Sequence, residues 1–407
     1  MKKAGRLSTV AWLVVALVLG AVRAAWADSA LLSEFTYKRL SVIQELMGEG
    51  KYSDALERLD ALAKTVSSRK YEKAVVLQTY GYLYVSTDKP RKAIDVFNQS
   101  LEMGVMPESA QQNVRLNLAQ LYLSVGENRK AVTLYEAWIK REKSPSPAGY
   151  ALGGTLYAVV KDYGKAEKYL ELAIKGAKEP REEWYRMLLA VYYQDTKYPQ
   201  AASLLREMIA RYPGRKEYWQ QLSGVYSTAG NNHEALAVLQ LAYLHGFLTE
   251  EKELVNLARF YLYMNIPYKA VQLIEGEMKK GRVQANRENL DMLYNAYTAA
   301  NELDKAVEVL QRISELSPDS GVLVKIARLQ AQMGHWSDVN RNVSKAIAMG
   351  HLEDAGRVYM LQGISFYQLK QHPKAVEAFR RALRSSDTKH EAQQWLAFLR
   401  ASRASAD

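Results

Sequence analysis

A small residue recurs along this chain at intervals of 33 to 38 residues. It is alanine at nine positions and valine at one. The positions are Ala55, Ala93, Ala131, Ala166, Ala201, Ala235, Ala270, Ala306, Val339 and Ala375. Self-similarity with a period of about 35 residues is the signature of a repeat architecture, in which each unit must pack on its neighbours to bury its apolar face. The pattern therefore predicts one serial array over most of the 407 residues.

Two further columns of residues keep the same register. Twelve residues before each small residue lies a second column, itself mostly small: Ile43, Gly81, Ala119, Gly154, Leu189, Ser223, Ala258, Tyr294, Ala327 and Gly363. Three residues after that column an aromatic residue follows in most units: Tyr84, Tyr122, Tyr157, Tyr192, Tyr226, Tyr261, Tyr297 and Phe366. Large and small side chains thus occupy fixed places within each unit.

Each unit is predicted to be a hairpin of two helices. Apolar residues recur at helical intervals in two runs, and a short turn such as "STAGNNHE" lies between them. Small residues are expected where the two helices cross, because bulky side chains would force the axes apart. The aromatic column would fill the space between hairpins. Pro213 and Pro318 follow second helices and are expected to end them.

These residues resemble the tetratricopeptide repeat (TPR). The match is carried by Trp219, Leu222, Ser223, Tyr226, Ala235, Leu239 and Ala242, with Pro213 ending the previous unit, and it extends over about residues 38–385. The resemblance implies an all-α fold: a right-handed superhelical solenoid of about ten TPR helical hairpins. It also implies a scaffold that binds proteins, with no chemistry of its own.

The two ends of the chain have a different pattern. Lys2, Lys3 and Arg6 precede the apolar run "LSTVAWLVVALVLGAV", and Ala25 and Ala27 stand before Asp28. This pattern predicts a signal peptide over residues 1–27, with cleavage between Ala27 and Asp28, and therefore an exported protein. The alternative is an inner-membrane anchor formed by an uncleaved signal.

The TPR solenoid is predicted over residues 28–387, without a clear domain break. Residues 388–400, "TKHEAQQWLAFLR", place apolar side chains on one helical face and are predicted to cap the open edge of the final hairpin. Residues 401–407 are predicted to be a disordered tail.

The sequence holds no pattern for catalysis or cofactors. Cysteine is absent, and the six histidines form no metal-ligand spacing. Gly153 and Gly154 are not followed by a phosphate-binding motif. We therefore expect no enzyme, no catalytic residue, no cofactor and no metal site. Basic clusters such as "MKKGR" (278–282) lie at helix ends, where cations complement the helix dipole; an acidic partner or an anionic membrane is the alternative.

Partner binding is expected along the concave side of the first helices. Residues beside the small column there are polar, cationic and aromatic, as in protein-binding surfaces. The predicted partner-binding residues are Tyr82, Arg186, Tyr193, Gln220, Arg259, Asn295, Arg328 and Tyr367. The same surface includes Gln120, Thr155 and Asp291. They do not reproduce the Lys/Asn carboxylate clamp of chaperone-binding TPR proteins. Nucleic acid is not expected, because no basic stripe is interleaved with aromatic residues.

Residues 218–278 resemble exported TPR proteins that are components of TonB systems, most closely in "NLARFYLYMNIPYKAV". The resemblance implies a periplasmic protein of a Gram-negative bacterium. It also implies an accessory role beside TonB, ExbB and ExbD in iron-siderophore uptake through the outer membrane, with peripheral contact to an inner-membrane complex. A periplasmic scaffold for secretion, pilus or polysaccharide assembly is the alternative. The oligomeric state stays open.

Overall fold

The computed structural model describes residues 32–404, and these residues form helices joined by short turns, without a strand. The predicted signal peptide and its cleavage site between Ala27 and Asp28 lie outside the described residues. The chain divides into two compact units, one ending at Met208 and the other beginning at Ile209. None of the helices in the described part is long and apolar enough to cross a membrane.

The first unit holds four complete hairpins and the helices of a fifth, whose second helix runs past the unit boundary. The helices are α1 (Glu34–Gly48), α2 (Tyr52–Thr65), α3 (Lys70–Ser86), α4 (Pro90–Glu102), α5 (Glu108–Ser124), α6 (Asn128–Ile139), α7 (Pro147–Val159), α8 (Tyr163–Gly176), α9 (Glu182–Gln194) and α10 (Tyr198–Arg211).

The second unit holds five hairpins and a final single helix. The helices are α11 (Lys216–Thr228), α12 (Asn232–Leu244), α13 (Glu251–Tyr263), α14 (Pro267–Lys279), α15 (Arg287–Ala299), α16 (Leu303–Leu316), α17 (Ser320–Gln332), α18 (Trp336–Met349), α19 (Ala355–Gln368), α20 (His372–Ala382) and α21 (Lys389–Ala404). The all-α class and the predicted series of helical hairpins are therefore confirmed.

The small residues lie where the two helices of each hairpin cross. All ten members of the first column are buried. In the α11–α12 hairpin, the Ser223 hydroxyl donates a hydrogen bond of 2.9 Å to the Ala235 carbonyl across this crossing. One member of the second column departs from the pattern: Tyr294 is only half-buried, and the preceding Leu293 is fully buried in its place.

Each hairpin turn contains one residue in the left-handed region, five positions before the small residue. These residues are Gly50, Asp88, Gly126, Lys161, Thr196, Gly230, Asn265, Asn301, Gly334 and Lys370. The N–H of the next residue donates back to a first-helix carbonyl, as Asp162 does to Tyr157 at 2.9 Å. This is the Schellman arrangement, which satisfies free carbonyls at a helix end. Glycine or asparagine fits it best, and Lys161 adopts it at φ 64° without that advantage.

The aromatic column joins each hairpin to the one before it. The Tyr157 hydroxyl donates to the Glu136 carboxylate of α6 at 3.0 Å, and the Tyr192 hydroxyl donates to Glu171 of α8 at 2.8 Å. The sequence alone places these rings between hairpins. It does not reveal the acceptors, which lie more than twenty residues earlier in the chain.

The final helix α21 packs on α20 with one apolar face. Ala392, Leu396 and Leu399 are buried, and the Trp395 ring stacks on Phe379 with centroids 5.3 Å apart. The helix continues to Ala404, so residues 401–404 are helical where a disordered tail is predicted. The segment "ASRA" contains no glycine or proline that would end it.

The helix crossing allows a direct stability test at Ala235. We expect Ala235→Leu to lower the free energy of unfolding by about 1–3 kcal/mol, because Ala235 is fully buried and the added atoms have no space. Ala229→Leu is the control, since Ala229 is exposed at the end of α11. Chemical denaturation followed by circular dichroism measures both variants. Equal midpoints for the two would show that the assigned helix crossing is wrong.

Candidate binding groove

The first helices of successive hairpins form the inner side of each unit. Within the second unit the first helices α13 and α15 of neighbouring hairpins contact each other directly. The second helices α14 and α16 of the same two hairpins lie farther apart. Within the first unit α7 contacts α9 in the same way. A stack whose first helices are closer together than its second helices is concave on the first-helix side. We call these inner surfaces groove 1, formed by the odd-numbered helices α1–α9, and groove 2, formed by α11–α19.

Groove 1 is held together by polar contacts between first helices. The Asn117 amide of α5 donates to the Tyr82 hydroxyl of α3 at 3.4 Å. On α7 the Thr155 hydroxyl lies 3.8 Å from the Met187 sulfur of α9. Tyr82 is buried, and its ring packs edge-on against Phe97 at 5.3 Å between centroids. Burial raises the pKa of Tyr82 to about 12, so the phenol stays neutral and available for hydrogen bonding.

Groove 1 also contains a pocket of about 380 Å³ between α7 and α9. Ala158 and Val159 of α7 and Met187 and Ala190 of α9 form most of its apolar wall. The other lining residues are Thr155, Lys161, Tyr163, Val191 and Gln194. Its volume lies within the range of about 300–1,000 Å³ that is usual for binding pockets.

Groove 2 begins with a cluster of charged and amide groups around Glu253. The Gln220 amide of α11 donates to this carboxylate at 2.7 Å, and the Lys216 ammonium lies 3.3 Å from it. Burial opposes ionisation of Glu253, but the N–H groups of Thr249 and Glu250 and the two side chains outweigh it and lower its pKa. The charge of Glu253 is therefore already matched within the protein.

Ion pairs continue along groove 2 between the next first helices. Arg259 of α13 pairs with Glu288 of α15 at 2.6 Å. Arg287 pairs with Asp291 one turn later at 2.9 Å, and it also lies 3.7 Å from Asp319, which caps α17. Arg259 and Glu288 are exposed, whereas Arg287, Asp291 and Asp319 are half-buried. A partner protein can therefore compete most readily for the Arg259–Glu288 pair.

Comparison with known proteins agrees with this hairpin series. Residues 115–145 and residues 324–390 each match a family model described as tetratricopeptide repeat. The chain therefore contains tetratricopeptide repeats in these two segments. The two matches cover α5–α6 and the segment from α17 into α21. No curated protein matches the chain.

Solved TPR structures are similar to parts of the chain. A tetratricopeptide repeat protein from Parabacteroides merdae is 16% identical with a TM-score of 0.41, over 65% of this chain and 99% of that one. YrrB, described as a TPR protein with an unusual peptide-binding site, is 16% identical with a TM-score of 0.38, over 44% and 88%. MamA is 18% identical with a TM-score of 0.35, over 39% and 89%.

Five of the eight predicted partner-binding residues are exposed: Arg186, Tyr193, Arg259, Asn295 and Arg328. Two of the remaining residues are engaged within the fold. Gln220 is half-buried and bonded to Glu253, and Tyr82 is buried. Tyr82 is therefore a poor anchor for a partner, because its ring is used against Phe97.

Tyr367 also has a structural role. It is half-buried, and its ring packs edge-on against Trp395 of the final helix at 5.3 Å between centroids. The sequence register places Tyr367 correctly on the first helix α19. The final helix covers it, however, because that helix occupies the position of a next hairpin.

Sequence reasoning missed the apolar pocket of groove 1. Its lining includes Ala158, Val159 and Ala190, none of which attracts notice as a polar or aromatic binding residue. The sequence indicates the pocket only through short side chains at the position directly after the small column. Thr155 and Ala190 occupy that position here, whereas other repeats have the longer Gln120, Arg259 and Arg328. Short side chains at neighbouring groove positions leave a depression.

The described residues contain no group of three or more histidine and acidic side chains that could hold a metal ion. The histidines are dispersed in this part of the chain. His245, for example, packs beside Trp219 and Phe247 with ring centroids 5.4 and 6.0 Å away. Such a contact is explained by packing between repeats.

Proposed function

We propose that this TPR protein is a non-catalytic adaptor that binds a partner protein along its grooves. The observation that carries the proposal is the set of exposed, chemically mixed side chains on the first helices. Arg186, Tyr193 and Asn295 are exposed there. The side chains of Arg186 and Asn295 form no hydrogen bond or ion pair within the described part of the chain. Arginine and tyrosine are the residue types that most often anchor protein interfaces.

Crosslinking in cells tests the grooves. We expect the combined replacement of Arg186, Tyr193, Arg259 and Asn295 by alanine to abolish most crosslinking of the tagged protein to its partners, because losing one such anchor commonly costs about 2 kcal/mol of binding. The control replaces Lys168, Leu172, Gln311 and Arg312, which are exposed on the second helices α8 and α16. Circular dichroism confirms folding of both variants. Undiminished crosslinking in the groove variant would contradict the proposal.

We further propose that the protein is periplasmic and acts beside the TonB, ExbB and ExbD proteins in iron-siderophore uptake. The support is the resemblance of residues 218–278, which form α11–α14, to TonB-associated TPR proteins. Tyr263 and Tyr268 of this segment are 72% and 55% exposed and so are accessible to a partner.

Two measurements test this finer assignment. The crosslinked partners of the tagged protein should include TonB, ExbB or ExbD, and a deletion strain with no second TonB system should grow poorly on siderophore-bound iron. Normal growth of that strain would remove the TonB role. Crosslinks to secretion, pilus or polysaccharide-assembly proteins would instead favour the envelope-scaffold function.

A further inference from the structure

The pocket of groove 1 exists because side chains are short at several neighbouring positions. Ala158 is one turn beyond Thr155 on α7, and Ala190 faces them from α9. Val159, at the end of α7, is 45% exposed, although valine is usually buried. Apolar surface is thus presented to the groove and is left uncovered by the protein's own described side chains.

The charge around this pocket is positive. Lys161 lies at its turn end, and Arg186 stands one helical turn before Ala190 on the same face of α9. Neither cation has an ion-pair partner in the described part of the chain. Asp162, next to Lys161, caps α8 and pairs with Lys165 at 3.4 Å, and Asp195 pairs with Lys197 at 2.9 Å. Glu182 and Glu183 lie one turn before Arg186 in the first turn of α9, at the opposite end of the helix from the pocket.

No carboxylate lies at the groove positions next to the small column in α3, α5, α7 and α9. The residues directly after that column are Tyr82, Gln120, Thr155 and Ala190, and those three positions before it are Gln78, Leu116, Ala151 and Arg186. In groove 2 the cations Lys216, Arg259 and Arg287 are matched by internal acids, whereas the exposed Arg328 of α17 has no acid partner among the described residues. Groove 1 is distinguished because its unmatched cations lie beside an apolar pocket.

We propose that the pocket of groove 1 takes an aliphatic side chain of a partner protein whose adjacent residues are acidic. The aliphatic group would fill the space between Ala158 and Ala190, and the flanking carboxylates would pair with Lys161 and Arg186. The partner segment is extended, since the groove continues along the first helices on either side of the pocket. This inference rests on the proposed function, for which it names the class of partner.

Binding of labelled peptides to the full chain tests the proposal. The probes are three short fluorescein-labelled peptides with the cores Glu-Leu-Glu, Lys-Leu-Lys and Glu-Ser-Glu, measured by fluorescence anisotropy at low and high salt. The Glu-Leu-Glu peptide is expected to bind at least tenfold more tightly than either of the others. Its affinity should fall with added salt, because screening weakens exposed ion pairs.

Variants of the protein locate the binding. Ala190→Trp fills the pocket and should weaken Glu-Leu-Glu binding by at least tenfold, while Arg186→Gln and Lys161→Asn should each weaken it severalfold and reduce the salt dependence. Asparagine suits the left-handed backbone of Lys161. The matched control is Lys168→Gln, an exposed cation on the second helix α8, which should leave binding unchanged.

Equal or tighter binding of the Lys-Leu-Lys or Glu-Ser-Glu peptide would overturn the proposal, as would unaltered binding in Ala190→Trp. Failure of all three peptides to bind with a Kd below about 1 mM would also overturn it. If groove variants abolish crosslinking in cells but the Glu-Leu-Glu peptide does not bind, the groove is the interface and its occupant is of another class. If the Glu-Leu-Glu peptide binds but the groove variant crosslinks as well as the wild type in cells, the proposed adaptor function is wrong. The proposed specificity of the pocket is then still supported.

Discussion

Replacing Gly153 by alanine should lower the free energy of unfolding by about 3 kcal/mol, at the upper end of the usual cost of overpacking. A Cβ atom at Gly153 would overlap the phenol of Tyr135 and lie 2.6 Å from its Cε1. Tyr135 cannot yield easily, because it is fully buried and its ring packs against Tyr157, Tyr169 and Trp138. Either α7 must shift away from α6, or the aromatic cluster must repack.

The matched control for this prediction is Gly164→Ala. Gly164 lies in α8 of the same hairpin, and a Cβ there would have nothing within 4 Å. Alanine is favoured over glycine in helices, so the control should be neutral or slightly stabilising. Urea denaturation of both variants, followed by circular dichroism, measures the difference. A Gly153→Ala midpoint equal to that of Gly164→Ala would contradict the close packing of α6 on α7.

The hairpin fold could be predicted from the sequence because one short-range pattern repeats in register. Helical periodicity, a turn and a pair of small residues are local features, and ten copies of them reinforce each other. The left-handed turn residues show where this reasoning weakens. Gly126 and Asn265 indicate their turns, whereas Lys161 and Thr196 adopt the same backbone only because the repeat around them imposes it.

The exposed residues of the groove are harder to predict from the sequence than the hairpin fold, for a physical reason. The register places residues on the inner face, but exposure depends on what packs there from other repeats. Tyr82 and Tyr367 are on the expected face and are nevertheless covered, by Phe97 and by the final helix respectively. The pocket between α7 and α9 depends on side-chain lengths in two helices more than twenty residues apart. Such a pocket cannot be predicted by considering each residue of the sequence separately.

The basic segment "MKKGR" shows the same limit. The sequence predicts that its charges complement the helix dipole or bind an external partner, but Lys280 and Arg282 pair with an internal acid. The Glu277 carboxylate is fully buried and accepts hydrogen bonds from Tyr243 at 2.7 Å and Lys280 at 2.9 Å, and it also pairs with Arg282. The Glu277 carbonyl accepts the N–H of Arg282 at 2.9 Å. Glu277 thus fastens the loop between α14 and α15 to α12.

We expect Glu277→Gln to destabilise the second unit by about 3 kcal/mol, the lower end of the range for breaking a buried ion pair. Glutamine keeps the shape of the side chain but leaves Arg282 and Lys280 without a matching charge. The control is Glu315→Gln, which replaces an exposed carboxylate near the end of α16 in the same unit. Thermal and urea unfolding at neutral pH measure both variants, and equal stability of the two would contradict a structural role for the buried carboxylate.

The effect of Glu277→Gln should also depend on pH in a defined direction. Burial opposes ionisation of Glu277, but hydrogen bonds from Arg282, Tyr243 and Lys280 outweigh it and lower its pKa from 4.5 to about 2. A carboxyl group whose folded pKa is depressed stabilises the fold fully above its unfolded pKa and loses that contribution as the pH falls toward the folded value. The difference in unfolding free energy between the wild type and Glu277→Gln should therefore be constant above about pH 5 and shrink between about pH 4.5 and pH 2. Urea titrations across that interval measure it, and a difference that stayed constant down to pH 2 would show that the ionised carboxylate is not the source of the stability.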